Sequence, residues 1–253
     1  SKGKYIHLHM GELYGAADGA DSVRSAMQLY ESGLKKYKYS KKLWLAYVTY
    51  VLTHRTTDSA ADTVAGDIEA SKKLCSRALL SLAAHKHVFL QLQYTLALYS
   101  AGIAFLNARA DSRDMSFALS QFGLFLEHGR QHFDDCLLKY PRRTDLHNIY
   151  IDQEVKVAKH IGVLAASRGA VVEKKHKAAS LTVASLRSSQ LTTVRTLFNK
   201  ALASMNVSIS NVKLLFKKYL EFELQHGSAE TQERCFIWLC TKKCNDFSSL
   251  RLL

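Results

Sequence analysis

Metal or nucleophile chemistry in this chain would have to start from its 11 histidines and 5 cysteines. Cys235, Cys240 and Cys244 cluster, but no CxxC pair occurs and no close histidine completes a zinc spacing. The count is odd, and with Cys75 and Cys136 these residues read as ordinary buried thiols in a reducing compartment. His7/His9 and His85/His87 lack a carboxylate or cysteine at ligand spacing. Gly11-x-x-x-Gly15 has no following Gly-Lys-Ser/Thr, so no loop cradles a nucleotide phosphate. Glu154 and Glu223 hold equivalent places in a repeat described below, which makes them bonds between helices rather than bases. The sequence predicts no catalytic residue, no metal and no cofactor.

Phosphate contact is better supplied. Lys35, Lys36, Lys38, Lys41 and Lys42 interleave with Tyr37 and Tyr39. Lysines beside exposed aromatics hold phosphates while a base stacks. Tyr37 has a plainer reading as a residue that packs a turn, in the place of Tyr140. Arg142 and Arg143 stand just before a helix start, where contact with RNA or a partner is open to them. Residues 155–190 hold Lys156, Lys159, Arg168, Lys174, Lys175, Lys177 and Arg187 against Glu173 alone. Rich in Ala and Ser and without an aromatic, that stretch reads as a mobile loop. Two readings of it stand: phosphate contacts that order on binding, or a solvated insertion. The whole chain has 35 Lys and Arg against 22 Asp and Glu, net +13, which suits a polyanionic partner.

The elements that position these residues follow from punctuation. Average usage puts about thirteen prolines and about eighteen glycines in a chain this long; this one has 1 and 12. That argues against a β-sandwich or barrel and for an all-α chain. Val88–Leu106 is free of charge and long enough for a membrane span. Its Gln91, Gln93, Thr95 and Ser100, and Gly102 as a late break, favour a buried helix in a soluble chain.

Two helical patterns alternate. One places Leu four after a buried position, at Tyr30, Cys75, Phe133 and Phe198; the other sets a large residue three before another, at Trp44/Tyr47, Phe89/Leu92, His147/Tyr150 and Phe216/Tyr219. From the first to the second the separation is 14, 14, 14 and 18 residues, while the return distances vary. One fixed connection and one that accepts insertions is how an α-solenoid of helix pairs behaves. The expected helices run near 22–37, 41–54, 68–84, 86–101, 116–139, 144–160, 190–204, 210–226 and 229–243. Ser40 and Thr144 are placed to cap, Pro141 lies just outside a helix, and Gly227-Ser228 ends one helix in a left-handed turn and opens the next. Tyr30, Trp44, Tyr47, Phe89, Phe133, Tyr150, Phe198, Phe216 and Tyr219 are the expected repeat core.

This repeat resembles the half-a-TPR (HAT) repeat, which clusters in RNA-processing proteins. Tyr140-Pro141-Arg142-Arg143-Thr144-Asp145-Leu146, then Ile149-Tyr150-Ile151-Asp152, resembles the YPKRTD…VYID signature of the ribosomal RNA processing protein five family. Phe216-Lys217-Lys218-Tyr219-Leu220-Glu221-Phe222-Glu223 with Gln225-His226-Gly227 is similar to that family's FFKRYLDYEKQHG, and Val194-Arg195-Thr196-Leu197-Phe198 to its VRDIFER segment. These matches fall in order over about 130–235. The departures are His147 where the family has Trp, expected to loosen that repeat, and apparent insertions at about 161–190 and 103–115. The resemblance implies one HAT array of about four repeats over 1–253. Family members carry oligonucleotide-binding-fold modules ahead of the array; with none here and no initiator Met, the chain reads as a C-terminal fragment. It further implies a non-enzymatic nucleolar assembly factor of the small-subunit processome. Pre-rRNA and other assembly factors are then its partners, with no membrane and no small-molecule substrate. A HAT adaptor of splicing or mRNA 3′-end machinery would keep the fold and change the complex, but the two signatures speak against it. A nuclease or modifying enzyme would need a constellation the sequence lacks.

Overall fold

A computed structural model describes residues 20–54, 63–109, 115–141, 143–169, 177–204, 209–235 and 237. Among them the backbone is helical with short connections and no strand, as the scarcity of proline and glycine dictates. The helices are α1 (Ala20–Lys36), α2 (Lys41–His54), α3 (Thr63–Ser81), α4 (His87–Ala108), α5 (Met115–Lys139), α6 (Thr144–Gly169), α7 (Lys177–Ser204) and α8 (Ile209–His226); a 3-10 turn, Ala84–Lys86, precedes α4, and further helical residues lie at 229–235. They divide into two compact units, Ser1–Tyr140 and Pro141–Leu253. Within each unit helices pack on their neighbours in the manner of an α-solenoid.

In the first unit, α2 packs against α1, α3 and α4, and α4 lies along α5. Tyr30 stacks on Tyr47, with ring centroids 5.2 Å apart and planes 17° from parallel. Trp44 is buried at 2% exposure, and its indole N–H donates to the Lys38 carbonyl at 2.7 Å. The charge-free stretch lies in α4, the one helix among the described residues long and apolar enough to cross a membrane. Leu90, Tyr94, Leu98, Tyr99, Phe105 and Leu106 are buried on it, which is the pattern of a core helix covered on several sides. Gly102 does not break that helix. A Cβ there would lie 2.8 Å from the Phe125 Cβ, and one at Gly129 would lie 2.6 Å from the Tyr99 ring, so both glycines let α4 and α5 approach closely.

Both stretches expected as insertions are largely helical, which corrects the loop expected at 161–190. Residues 103–108 complete α4, with Phe105 and Leu106 in the core, and Met115, also buried, begins α5. Only 110–114 of that expected insertion lie outside the described residues. Likewise α6 runs on to Gly169 and α7 starts at Lys177, so most of 161–190 is helix rather than loop. Ile161, Leu164, Val183 and Gln190 are buried, which anchors both extensions. Ala-rich sequence favours helix once such anchors exist.

In the second unit α7 packs against α6 and α8. Phe198 stacks on Tyr219 at 4.6 Å and 18°. This repeats the Tyr30–Tyr47 pairing at corresponding pattern positions, although Tyr219 is only half-buried. Phe133, Tyr150 and Phe216 are buried as expected, and His147 is half-buried. Ser40 caps α2 by accepting from the Leu43 amide at 3.3 Å, and the Thr231 amide reaches Ser228 Oγ at 3.4 Å. Gly227 takes no left-handed backbone; its missing side chain leaves room for the Glu223 carbonyl and Thr231 hydroxyl.

Candidate nucleic-acid interface

The lysine-rich turn between α1 and α2 is held from inside. The Tyr37 amide donates to the Gly33 carbonyl (2.8 Å), the Ser40 amide to Tyr37 (2.9 Å) and the Trp44 amide to Ser40 (3.1 Å). Tyr37 packs against the core, which is the plainer of its two sequence readings. Lys35, Lys36, Lys38 and Lys42 are exposed around this frame and Lys41 is half-buried. Tyr39 stands out at 63% exposure with Lys38 Nζ 5.0 Å from its ring centre.

A second turn adjoins it. The Leu82 amide donates to Ala78 (2.9 Å), the Lys86 amide to Ala83 (2.9 Å), and His87 Nε2 to the Leu82 carbonyl (2.8 Å). Phe89, expected in the core, is 39% exposed, with Lys41 Nζ 4.0 Å from its ring centre. The 3-10 turn explains the error. It uses three residues, so α4 begins at His87 and its fourth residue is Leu90, which is fully buried as Trp44, the fourth residue of α2, nearly is. The sequence reading therefore missed Phe89 and Lys86 as surface residues; three Ala/His/Lys residues before the apolar run were the available signal.

Electrostatically the strip is one-signed. No Asp or Glu occurs from Ser32 to Thr57 or from Ala70 to Ala110. Among the described residues none of Lys35, Lys36, Lys38, Lys41, Lys42 or Lys86 is ion-paired. Neither α2 nor α4 has an acidic residue in its first turn, so both present the positive end of a helix here.

The remaining expected contacts lie in the second unit. Arg142, Lys174 and Lys175 fall outside the described residues, and Lys177 is the first residue of α7. Arg143 is engaged: its guanidinium donates to both Asp145 oxygens (2.8 and 2.6 Å) and holds that carboxyl below its usual range. Glu154 and Glu223 join helices. Glu223, almost wholly buried, accepts from Arg195 Nε (2.8 Å) and Nη2 (3.0 Å), and Gln190 Nε2 donates to the Glu154 carboxylate and backbone carbonyl. From one helix, α7 thus grips α6 and α8. Cys75, Cys136 and Cys235 are buried free thiols, and burial pushes Cys75 up to about 12, where no thiolate forms at neutral pH. Cys240 and Cys244 lie outside the described residues. Among the described residues no three His, Cys, Asp or Glu side chains gather as metal ligands do.

No family model matches the chain. It is 25% identical over 221 residues to the rRNA biogenesis protein RRP5 of Arabidopsis thaliana, which covers 87% of the chain and 8% of the relative. The Protein RRP5 homolog of Mus musculus is 24% identical over 223 residues, 88% of the chain and 8% of the relative. For the rRNA biogenesis protein rrp5 of Schizosaccharomyces pombe the figures are 25% over 220 residues, 87% and 9%. The chain spans under a tenth of the length of these relatives. The resemblance drawn from the two signature segments is borne out: the chain is RRP5-like across most of its length.

Proposed function

We propose that this chain is a non-enzymatic helical scaffold for pre-rRNA processing in small-subunit biogenesis, working in the nucleolus inside a large ribonucleoprotein. The observation that carries the reading is the alignment of 87% of the chain with proteins named for rRNA biogenesis. The unpaired basic strip at the α1–α2 turn supports it, because a scaffold in a ribonucleoprotein meets phosphate on many sides. Pre-rRNA and other assembly factors are its partners, and it needs no metal, cofactor or small-molecule substrate. Lys174, Lys175 and Lys177 add phosphate contacts in the second unit.

The test is to isolate the tagged protein from cells, sequence the RNA that comes with it, and deplete the protein while following precursor rRNA. Enrichment of pre-rRNA, with unprocessed small-subunit precursors accumulating on depletion, is the expected result. Enrichment of small nuclear RNA with intact rRNA processing would overturn the reading. Cleavage of pre-rRNA by the purified chain, lost on a single carboxylate or histidine substitution, would overturn its non-enzymatic part.

A further inference from the structure

We infer that the α1–α2 turn and the α3–α4 turn form one binding strip for single-stranded RNA, with bases stacked on Tyr39 and Phe89. The inference rests on the functional reading above for its choice of RNA; the chemistry of the strip comes from the structure. Lys41 reaches from the first turn to the Phe89 ring on the second, so the two turns make a continuous surface. Lys35, Lys36, Lys38, Lys42 and Lys86 surround it, none of them ion-paired among the described residues, and the positive ends of α2 and α4 open onto it. That set fits a chain of phosphates.

The two rings decide which polyanion. Phe89 keeps 39% of its surface exposed even with Lys41 on it, and Tyr39 keeps 63%. In a duplex the base faces are already stacked on one another, so exposed rings have nothing to receive; in a single strand each base offers a free face to an aromatic side chain. An acidic protein segment would use the lysines and leave both rings idle. The bonds that pin both turns hold the backbone that carries the rings in place before binding, which limits the ordering that accompanies association.

The experiment uses the 253-residue chain and a labelled 12-nucleotide oligouridine, with a 12-base-pair RNA duplex and a polyglutamate peptide as alternative ligands, each titrated at several salt concentrations. Phe89→Ala and Tyr39→Ala are expected to weaken oligouridine binding roughly 5- to 100-fold each, the range of a lost base stack, at an unchanged salt slope. Replacing Lys35, Lys36, Lys42 and Lys86 together with Ala should instead flatten the logarithmic salt slope by up to about 3. Cooperative circular dichroism melts within a few degrees of wild type show that these surface variants are folded. Aromatic variants that bind oligouridine like wild type overturn the inference, as does a duplex bound as tightly as the single strand. Polyglutamate bound more tightly than oligouridine assigns the strip to an acidic protein and also overturns it. Failure here with pre-rRNA still co-purifying from cells sinks the strip alone; the expected binding pattern without pre-rRNA in cells sinks the functional reading alone.

Discussion

Two glycines on α5, six residues apart, should respond to alanine with opposite signs. At Gly129 the new Cβ would lie 2.6 Å from Tyr99 Cε2 and 3.0 Å from Cδ2. Ordinary carbon contact begins near 3.5 Å, so ring or helix must yield by about 1 Å. Tyr99 is fully buried with its ring centre 5.8 Å from that of Phe133, and Gly102 already brings Phe125 against α4, which leaves little room to yield. Such overpacking costs about 1–3 kcal/mol, while removing a glycine from a helix interior returns about 0.5–1 kcal/mol. With so little room the cost lies in the upper part of its range, and Gly129→Ala should therefore destabilise by about 1–2.5 kcal/mol. At Gly123 nothing lies within 4 Å of the added Cβ, so only the favourable part remains and Gly123→Ala should stabilise by about 0.5–1 kcal/mol. Urea unfolding followed by circular dichroism reads both, the midpoint falling for the first variant and rising for the second at constant slope. A Gly129→Ala midpoint at or above wild type would refute the close packing of α4 on α5.

Trp44→Ala or Phe216→Ala should cost about 3–5 kcal/mol and Phe89→Ala less than about 1, measured by the same unfolding; equal losses at Trp44 and Phe89 would restore the original repeat phase. Arg195→Met leaves the buried Glu223 carboxylate unpaired and should cost about 2–3 kcal/mol, most of it recovered when Glu223→Leu is added; no recovery would mean the pair is incidental. Burial, ahead of neighbouring charges, holds His132, His147 and His226 below the usual imidazole range. The unfolded chain then takes up protons first as pH falls below about 6.5, so stability is full above that value and declines below it, by up to about 1.4 kcal/mol per pH unit for each proton. His132→Gln should flatten the decline between urea midpoints at pH 7.5 and 5.5, and an unaltered decline would clear His132 of a part in it. Lys42→Glu, an anion in the first turn of α2, should raise stability by about 0.3–1 kcal/mol while weakening oligouridine binding; lower stability would contradict the dipole argument.

How much of this was legible in the sequence depends on where apolar residues stand. The helices of the first unit, and Tyr30, Trp44 and Tyr47 on them, could be read because apolar residues recur at helical spacing without interruption. The extensions of α6 and α7 could not, since their anchors are sparse and one, Gln190, is polar. It is a core residue only because Glu154 waits on the facing helix, a pairing across 36 positions that no local pattern reveals. Phe89 failed for a different reason: its type and distance fitted the repeat, but the 3-10 turn rotated α4 by one residue. The lysines were visible as a cluster; their partnership with Phe89 and Lys86 needed the fold.

The basic residues of the strip divide by what the helices ask of them. Lys35 and Lys36 stand in the last turn of α1, where a cation is favourable against the negative end of the helix, so their presence has a reason in stability alone. Lys41, Lys42 and Lys86 stand at the starts of α2 and α4, where the same field opposes them and Asp or Glu is the stabilising choice. Each costs the folded chain a fraction of a kcal/mol up to about 1, and mutual repulsion, with no ion pair to any of them among the described residues, adds to it. Phe89 costs further, as a large apolar ring left partly in water. Residues that each lower stability, gathered at one place on a rigid frame, are what a binding surface looks like before its ligand arrives. A phosphate at those helix ends attracts both the ammonium groups and the positive helix poles and so offsets these repulsions, and a stacked base covers the ring.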